Sequence, residues 1–513
     1  MSKKLPTYQI IRGGLVLNIE QRTVSPADIL IAGDTIMEVG GPGMAVPADA
    51  QHIDATDRLV MPGLVNAHTH GHSTLGKGRG DKWSLELALN ASPGISGGFS
   101  LEDKHTAALL NAAEMVLKGC TAAYDMCMEL PTPTIEGMTA VGSAYSELGV
   151  RLVLAPMMAD MTLYRAIPGL MDVLPAPHRS HVERMRAAPH EEHLAVCGKL
   201  LHDWPFDRDQ VRPALGPTIP LHCSDDFIRG CRDMAEEYDA GIQMHLAESK
   251  VQAVVGLKRY GKTLVAHLDD LGLLGPRFTG AHCIWLDEDD LIRLRDRGAT
   301  VAHNPSANLR LGSGIAPARQ MIDLGIGVGI GTDGAGSSDN QNMFEAMRAA
   351  SFVSRIVDPD PESWLGTWEV LELATAEGAS ALGIGDAIGN IAPGFKADIL
   401  FLDLGNVNFV PLNDAANQIV NCEDSSAIDS VMIGGRMVLS GRQFTTFDYD
   451  ALRHRAEAAA AHLREFNAEA GARMEAIACF VSHHCIGLAG EHYHVQRTVN
   501  GADHRREQFR EPE

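Results

Sequence analysis

A (β/α)₈ TIM-type barrel, carrying a composite β-sandwich from both chain ends and followed by a C-terminal helical tail, is the fold this sequence predicts. Three observations predict it. Short apolar runs alternate with amphipathic helical stretches from Met61 to about Gly385, strand clusters of one texture occur at both ends, and polar residues close the apolar runs of the middle segment. The expected domains are 1–60 with 386–445 for the sandwich, 61–385 for the barrel and 446–513 for the helical extension.

At the start, Ile10-Ile11, Leu15-Val16-Leu17, Asp28 to Ala32 and Thr35 to Val39 read as strands broken by Gly13-Gly14, Gly33-Asp34 and Gly40-Gly41. The same texture returns in Ala397 to Leu402 and in Ser430 to Leu439. Each cluster alone has too few strands to bury both faces, so the two are expected to pair in one sandwich. Between them, Leu152 to Ala155, Ile242 to His245, Thr279 to His282, Thr300 to His303 and Gly327 to Asp333 read as strands, and Leu264 to Leu271 and Leu286 to Arg297 as helices. Strand-helix alternation over roughly 320 residues fits one barrel with insertions better than two doubly wound domains. The insertion from Tyr164 to His202 reads as exposed helix, suited to a lid or an oligomer contact. The tail from Asp450 to Glu475 reads as one helix.

Composition narrows the function. The 513 residues carry 43 Lys+Arg against 66 Asp+Glu, a formal charge of −23. Such a field repels phosphate backbones and anionic lipid heads, so neither nucleic acid nor a membrane surface is an expected partner. No run approaches the roughly 18 apolar residues of a membrane span, and Met1 to Pro6 lacks the apolar core of an export signal, so a cytoplasmic location is expected. Nine cysteines without CxxC spacing read as reduced thiols.

The chemistry concentrates in a few short motifs. In Pro62-Gly63-Leu64-Val65-Asn66-Ala67-His68-Thr69-His70 the two histidines stand at i and i+2, on one side of a strand, and can offer two imidazoles to one metal ion. Taken alone the pair is equally two loop histidines. His245 and Asp333, each closing a later run, would complete a mixed nitrogen and oxygen site with room for water. Glu248, three residues after His245, can turn back over the same mouth as a proton carrier. Its bland reading is a carboxylate opening the next helix. The glycines of Gly327 to Gly331 precede an Asp rather than a helix and do not form a phosphate cradle.

His68-Thr69-His70 after Pro62-Gly63, His245-Leu246-Ala247-Glu248, Gly280-Ala281-His282-Cys283, His303-Asn304-Pro305-Ser306-Ala307-Asn308 with Gly312-Ser313-Gly314, and Gly331-Thr332-Asp333-Gly334 together resemble the amidohydrolase superfamily. Within it the chain resembles the branch of 5-methylthioadenosine/S-adenosylhomocysteine deaminases, guanine deaminases and s-triazine hydrolases, from about Ile10 to about Leu439. The resemblance implies one divalent metal, Zn²⁺ with Fe²⁺ as the alternative, held by His68, His70, His245 and Asp333. It further implies Glu248 as proton shuttle, His282 as the histidine behind the ligands that orients the hydroxide or polarises the attacked carbon, and Asp333 as both ligand and catalytic carboxylate. The expected substrate is a small heterocycle acted on with water, and a homodimer or higher homo-oligomer is the expected assembly.

Substrate contacts are expected at Trp83, which can stack a flat ring, at Thr218, His303 and Asn304, and at Glu114, whose place five residues before Gly119 resembles one that related nucleoside deaminases use to contact substrate. Four of these have a structural alternative: helix packing for Trp83, a surface carboxylate for Glu114, a structural loop for His303 and Asn304. His72 continues the i, i+2 pattern after His70, past the expected end of the strand. Where nucleoside-deaminating relatives place an imidazole, Gly216-Pro217-Thr218-Ile219-Pro220 offers a hydroxyl, so the expected substrate is an aminated nitrogen heterocycle other than an adenosine-type nucleoside. Loss of chloride or an alkylamine, or opening of a cyclic amide, uses the same activated water and stays open. A catalytically silent barrel kept for binding or assembly is the reading of a different class. In the tail, Cys479, His483-His484-Cys485 and His492-Tyr493-His494 match no zinc spacing.

Overall fold

The computed structural model describes residues 7–498. The N-terminal segment Met1 to Pro6 and the end of the predicted tail, 499–513, lie outside the described residues. Eight parallel strands form the barrel: Leu64–Thr69, Cys120–Met128, Arg151–Met158, Val211–Pro217, Gly241–Leu246, Phe278–His282, Thr300–His303 and Val328–Ile330. Each pairs in parallel with the next, for example Ile242 with Phe278 and Leu246 with His282. Most of their residues are buried on both faces, as barrel strands covered by helices must be, which is why they read as nearly continuous apolar runs.

Closure explains the glycines before Asp333. A Cβ on Gly329 would stand 2.8 Å from Ala67 Cβ, and one on Gly331 would stand 2.3 Å from Asn304 Oδ1 and 2.9 Å from His68 Cβ. The eighth strand therefore approaches the first only because these positions carry no side chain. The strand is shorter than its sequence pattern, ending at Ile330, and Asp333 sits three residues beyond it with its amide donating to His68 O at 2.9 Å.

The chain ends build two antiparallel-rich sheets. Thr35–Gly40, Asp28–Ala32, Tyr8–Arg12 and Gln51–Asp54 form one. The other runs Gln443–Phe444, Arg436–Ser440, Ile428–Ile433, Ile399–Asp403, Arg58–Pro62, Leu15–Asn18, Thr23–Pro26. Its central pair joins the two ends of the chain, with Ile399 opposite Pro62 and Asp403 opposite Arg58. Ile11, Ile29, Ile31 and Ile36 from the first sheet pack with Val16, Val60, Ile399, Phe401 and Met432 from the second, so neither sheet could bury its apolar face alone. The buried pair of Arg151 Nε with Asp398 Oδ2 at 2.8 Å ties these sheets to the base of the third barrel strand.

The insertion and the tail depart from their expected forms. The insertion holds the helices Leu163–Ala166, Ala176–Arg184 and His190–His202, and it is only partly exposed. Tyr164, Leu170, Leu174 and Cys197 are buried, and His193 stacks on Phe227 at 5.5 Å. The tail is two helices, Tyr449–Phe466 and Ala468–Ala489, meeting at Asn467. The Asn467 amide donates to Leu463 O at 2.8 Å and across to Gly97 O at 2.9 Å, so a polar residue pinned to the barrel side marks the break. Helix Ala468–Ala489 lies against helix Leu85–Ala91 and the turn Ser92–Gly94, where a Cβ on Gly94 would stand 2.5 Å from Gly471 Cα. Asp448 caps helix Tyr449–Phe466 by accepting from Ala451 N at 3.1 Å. No described helix is long and apolar enough to cross a membrane.

Candidate metal centre and active site

The strand ends bring five side chains to one point at the barrel mouth. His68, His70 and His245, and His68, His282 and Asp333, form two overlapping groups whose ligand atoms lie within 4.8 Å of one another. His70 Nε2 is 3.0 Å from His245 Nε2 and 3.3 Å from Asp333 Oδ1, while His68 Nε2 is 3.6 Å from Asp333 Oδ1. A tetrahedral ion with ligand bonds of about 2.0–2.1 Å places its ligand atoms about 3.3 Å apart, and the observed spacings bracket that value.

The other ring nitrogens explain why these four imidazoles face inward. His68 Nδ1 donates to Gln243 Oε1 at 2.7 Å, and Gln243 Nε2 donates to Ala67 O at 2.9 Å, which fixes the orientation of that amide. His70 Nδ1 donates to Met126 O and His245 Nδ1 to Thr218 O, each at 2.7 Å. His282 Nδ1 faces Asn308 Oδ1 at 2.8 Å. With the proton held on Nδ1 by an oxygen acceptor, each ring turns an Nε2 lone pair toward the common point, the arrangement second partners impose on metal-binding histidines. The Nε2 atoms of His68 and His282 are buried without a hydrogen-bond partner, and two lone pairs meet head-on between His70 and His245. A bound cation relieves both conditions, so this donor set fits a divalent metal.

Electrostatics agree with that fit. Burial, followed by the charge of neighbouring His68, pushes the His70 imidazole down to about 4, and burial pushes His282 down to about 4, so both are neutral at pH 7. Burial alone would raise the Asp333 carboxyl, but the imidazoles of His68, His70 and His282 hold it well below the usual carboxylate range. Glu248 goes the other way: burial, then the negative charges of Asp333 and Glu86, pushes it well above its ordinary value. A carboxylate ready to ligate and a carboxyl ready to carry protons thus stand side by side, as acid–base catalysis requires.

Glu248 does not open a helix. Helix Lys250–Tyr260 is capped by Ser249, and Glu248 precedes the cap with its Oε2 3.6 Å from His282 Nε2. Ala247 (φ +49°), His282 (φ +71°), Cys283 (φ +49°) and Asp333 (φ +63°) all adopt left-handed backbone at the same barrel mouth. Such conformations persist in non-glycine residues only where surrounding structure imposes them.

Above the cluster opens a cavity of about 200 Å³. His70, His245, Glu248 and Asp333 form its floor, and Trp83, Phe99, Ile95, Leu89 and Leu463 form much of its wall. Of the five expected substrate contacts, Trp83 and Thr218 line this cavity; Glu114, His303 and Asn304 do not. Glu114 pairs with Lys77 and accepts from Gln341 N at 3.2 Å. Asn304 lies behind His282, its Nδ2 3.4 Å from His282 Nδ1, and His303 is fully buried on the seventh strand. His72 lines the cavity, because the turn Gly71–Gly76 carries it onto the wall.

Sequence reasoning missed two groups of residues. Gln243 stands two positions before His245, on the same side of its strand, and that spacing could have found it. Ala460, Leu463 and Arg464 of the tail line the cavity, and no local motif marks them. The His- and Cys-rich segment from Cys479 to His494 holds no metal-binding group among the described residues: His484 Nε2 bonds Pro168 O at 2.9 Å and His494 Nε2 bonds Asp287 Oδ2 at 2.7 Å. All nine cysteines are unpaired.

Comparison with known proteins places this geometry. The chain is 32% identical over 425 residues to the 5-methylthioadenosine/S-adenosylhomocysteine deaminase of Syntrophomonas wolfei, covering 82% of this chain and 90% of that one. It is 32% identical over 457 residues to the 5'-deoxyadenosine deaminase of Methanothermobacter thermautotrophicus, covering 85% and 98%. Among solved structures, a zinc-bound adenosine deaminase from Xanthomonas campestris superposes with a TM-score of 0.79 at 27% identity over 90% of this chain and 100% of that one. An atrazine chlorohydrolase from Arthrobacter aurescens complexed with zinc superposes with a TM-score of 0.79 at 26% identity over 88% and 99%. Residues 59–438, from the sandwich strand Arg58–Pro62 that leads into the barrel to the strand Arg436–Ser440 after it, match the amidohydrolase family, and the chain belongs to that family.

Proposed function

We propose that this protein is a zinc-dependent aminohydrolase that replaces an exocyclic amino group on a nitrogen heterocycle by hydroxyl, with His68, His70, His245 and Asp333 as the metal ligands. The observation that carries the reading is the convergence of four Nδ1-anchored imidazoles and one ionised carboxylate beside a buried carboxyl of raised pKa. A bound divalent ion supplies Lewis acidity there, lowering the pKa of water from 15.7 to about 7.

The chain's own groups do the rest. Glu248, made a stronger base by burial, takes a proton from the attacking water and delivers it to the ring nitrogen, where negative charge develops as the ring carbon is attacked; the remaining proton of that water then passes to the amino nitrogen, and the C–N bond breaks to release ammonia. His282, neutral and anchored by Asn308, presents an Nε2 lone pair 3.6 Å from Glu248 Oε2 and 3.9 Å from Asp333 Oδ2, and so orients the water between the two carboxyls. Asp333 Oδ1 accepts from Gly334 N at 2.6 Å, which fixes the carboxylate plane. The apolar wall around Trp83 excludes bulk water and offers a flat face to the ring.

Likeness to the atrazine chlorohydrolase favours a second reading, loss of chloride from a triazine by the same attack. One assay separates the readings: enzyme purified without chelators is analysed for metal, then given aminopurines, aminopyrimidines, pterins, aminotriazines and chlorotriazines while ammonia and chloride are measured. The proposal expects about one equivalent of metal and release of ammonia. Chloride alone supports the second reading, and a metal-loaded protein that releases neither overturns both. Thr218 in place of an imidazole supports a substrate other than adenosine. A kcat/KM for adenosine or S-adenosylhomocysteine of about 10⁴ M⁻¹s⁻¹ or above, with free bases, pterins and triazines inert, overturns that part.

A further inference from the structure

We infer that His72 is a substrate-binding residue whose Nε2–H donates a hydrogen bond to an in-plane lone pair, a ring nitrogen or carbonyl oxygen, of the heterocycle. The inference rests on the proposed function and adds to it a contact in the ring plane. His72 lines the cavity directly beside the metal cluster, its ring edge-on to His70 with centroids 5.5 Å apart. The backbone N–H of Met128, at the end of the second barrel strand, donates to His72 Nδ1 at 3.2 Å. An amide N–H is a donor only, so Nδ1 is the acceptor and the ring proton resides on Nε2.

His72 is thus the opposite tautomer of its neighbours. In His70, Nδ1 carries the proton and Nε2 turns a lone pair to the cluster; in His72 the backbone contact reverses the assignment. Nε2 has no protein partner among the described residues, and with Nδ1 turned back to the strand it is the nitrogen left to the cavity. The neighbouring hydroxyls of Ser73 and Ser337 are committed, Ser73 Oγ donating to His70 O at 2.8 Å and Ser337 Oγ to Gly334 O at 3.1 Å. Segment 216–219 contributes Thr218 and Ile219 to the cavity and no N–H-bearing side chain. His72 therefore places on the first-strand side of the cavity the imidazole that the fourth-strand side lacks.

Two substitutions separate binding from a merely structural role. His72→Asn puts an amide oxygen near the place of Nδ1, where it can accept from Met128 N, and cannot reach the place of Nε2. His72→Gln carries an amide N–H out to the place of Nε2. Parent and both variants are assayed for ammonia release from 5'-methylthioadenosine, guanine, cytosine, pterin and melamine, with metal content and thermal midpoint measured on the same preparations. On the heterocycle the parent deaminates, His72→Asn is expected to raise KM about tenfold with kcat within about threefold and metal content unchanged, and His72→Gln to restore KM to within about threefold. Parental KM in His72→Asn, or no recovery in His72→Gln, overturns the inference while leaving the proposed function standing. A metal-loaded parent that releases ammonia from none of the five overturns the proposed function, and this inference with it.

Discussion

The floor and the roof of the cavity are built on opposite principles. On the floor, each imidazole of the cluster and Asp333 is held by a second group: His68 by Gln243, His70 and His245 by backbone carbonyls, His282 by Asn308, Asp333 by Gly334. Gln243 and Met126 sit on strands, Thr218 and Gly334 just past strand ends, and Asn308 on the short helix Pro305–Arg310. The roof is Trp83, Phe99, Ile95, Ala460, Leu463 and Arg464, and it is held by helix Tyr449–Phe466 packing on helix Leu101–Leu117 and by helix Ala468–Ala489 packing on helix Leu85–Ala91. Bond-making chemistry needs directional groups fixed to fractions of an ångström, which rigid strand ends provide. Enclosing a flat ring needs apolar area, which added helices provide without disturbing the floor. The family match ends at residue 438, so the floor lies within the shared fold while Ala460, Leu463 and Arg464 lie beyond it.

Breaking the floor should cost far more than breaking the roof. Glu248→Gln removes the proposed proton carrier and keeps the shape; turnover is expected to fall by about 10² or more while metal content stays near one equivalent. Measuring kcat beside metal content checks this, and lost metal would make Glu248 a ligand instead. Gln243→Leu leaves His68 free to change tautomer and is expected to weaken metal affinity by about 10–100-fold, read by competition with a chromophoric chelator. Stripping the metal should lower the thermal midpoint, because an ion that binds only the folded floor stabilises it by mass action; calorimetry with and without chelator measures the drop.

The roof should show smaller and different effects. Leu463→Ala is expected to raise KM several-fold for a heterocycle bearing an apolar substituent, with kcat on the unsubstituted ring unchanged, because the lost contact lies away from the reacting carbon. Smallest of all, Asn467→Ala removes the bond to Gly97 O and should cost about 1 kcal/mol of stability in denaturant titration, with metal content unchanged. If Leu463→Ala instead lowered kcat as much as Glu248→Gln, the division between floor and roof would be wrong.

This contrast also marks what the sequence makes legible. His68, His70 and His245 stand out because strand periodicity is short and a polar residue ending an apolar run is conspicuous. The sandwich is legible for the same reason, since its halves share a texture and neither suffices alone. Asp333 is legible as a residue but not in its placement, because Gly331-Thr332 extend the strand pattern while the backbone leaves the strand at Ile330. The acceptors on Met126 and Thr218 are backbone carbonyls and have no side-chain signature. The roof is hidden for a different reason: an amphipathic helix announces an apolar face and does not say what that face covers. Glu114 illustrates the limit, since its position along the chain suggested the cavity and its partner Lys77 draws it elsewhere.

The order of these parts along the chain has a consequence for biosynthesis. The last floor residue, Asp333, leaves the ribosome about 130 residues before Leu463. At roughly 5–20 residues per second the barrel mouth stands uncovered for on the order of ten seconds. During that interval the nascent site can exchange ions with bulk water by an approach that the tail helices later narrow, so metal loading during translation and metal exchange in the finished protein should differ in rate.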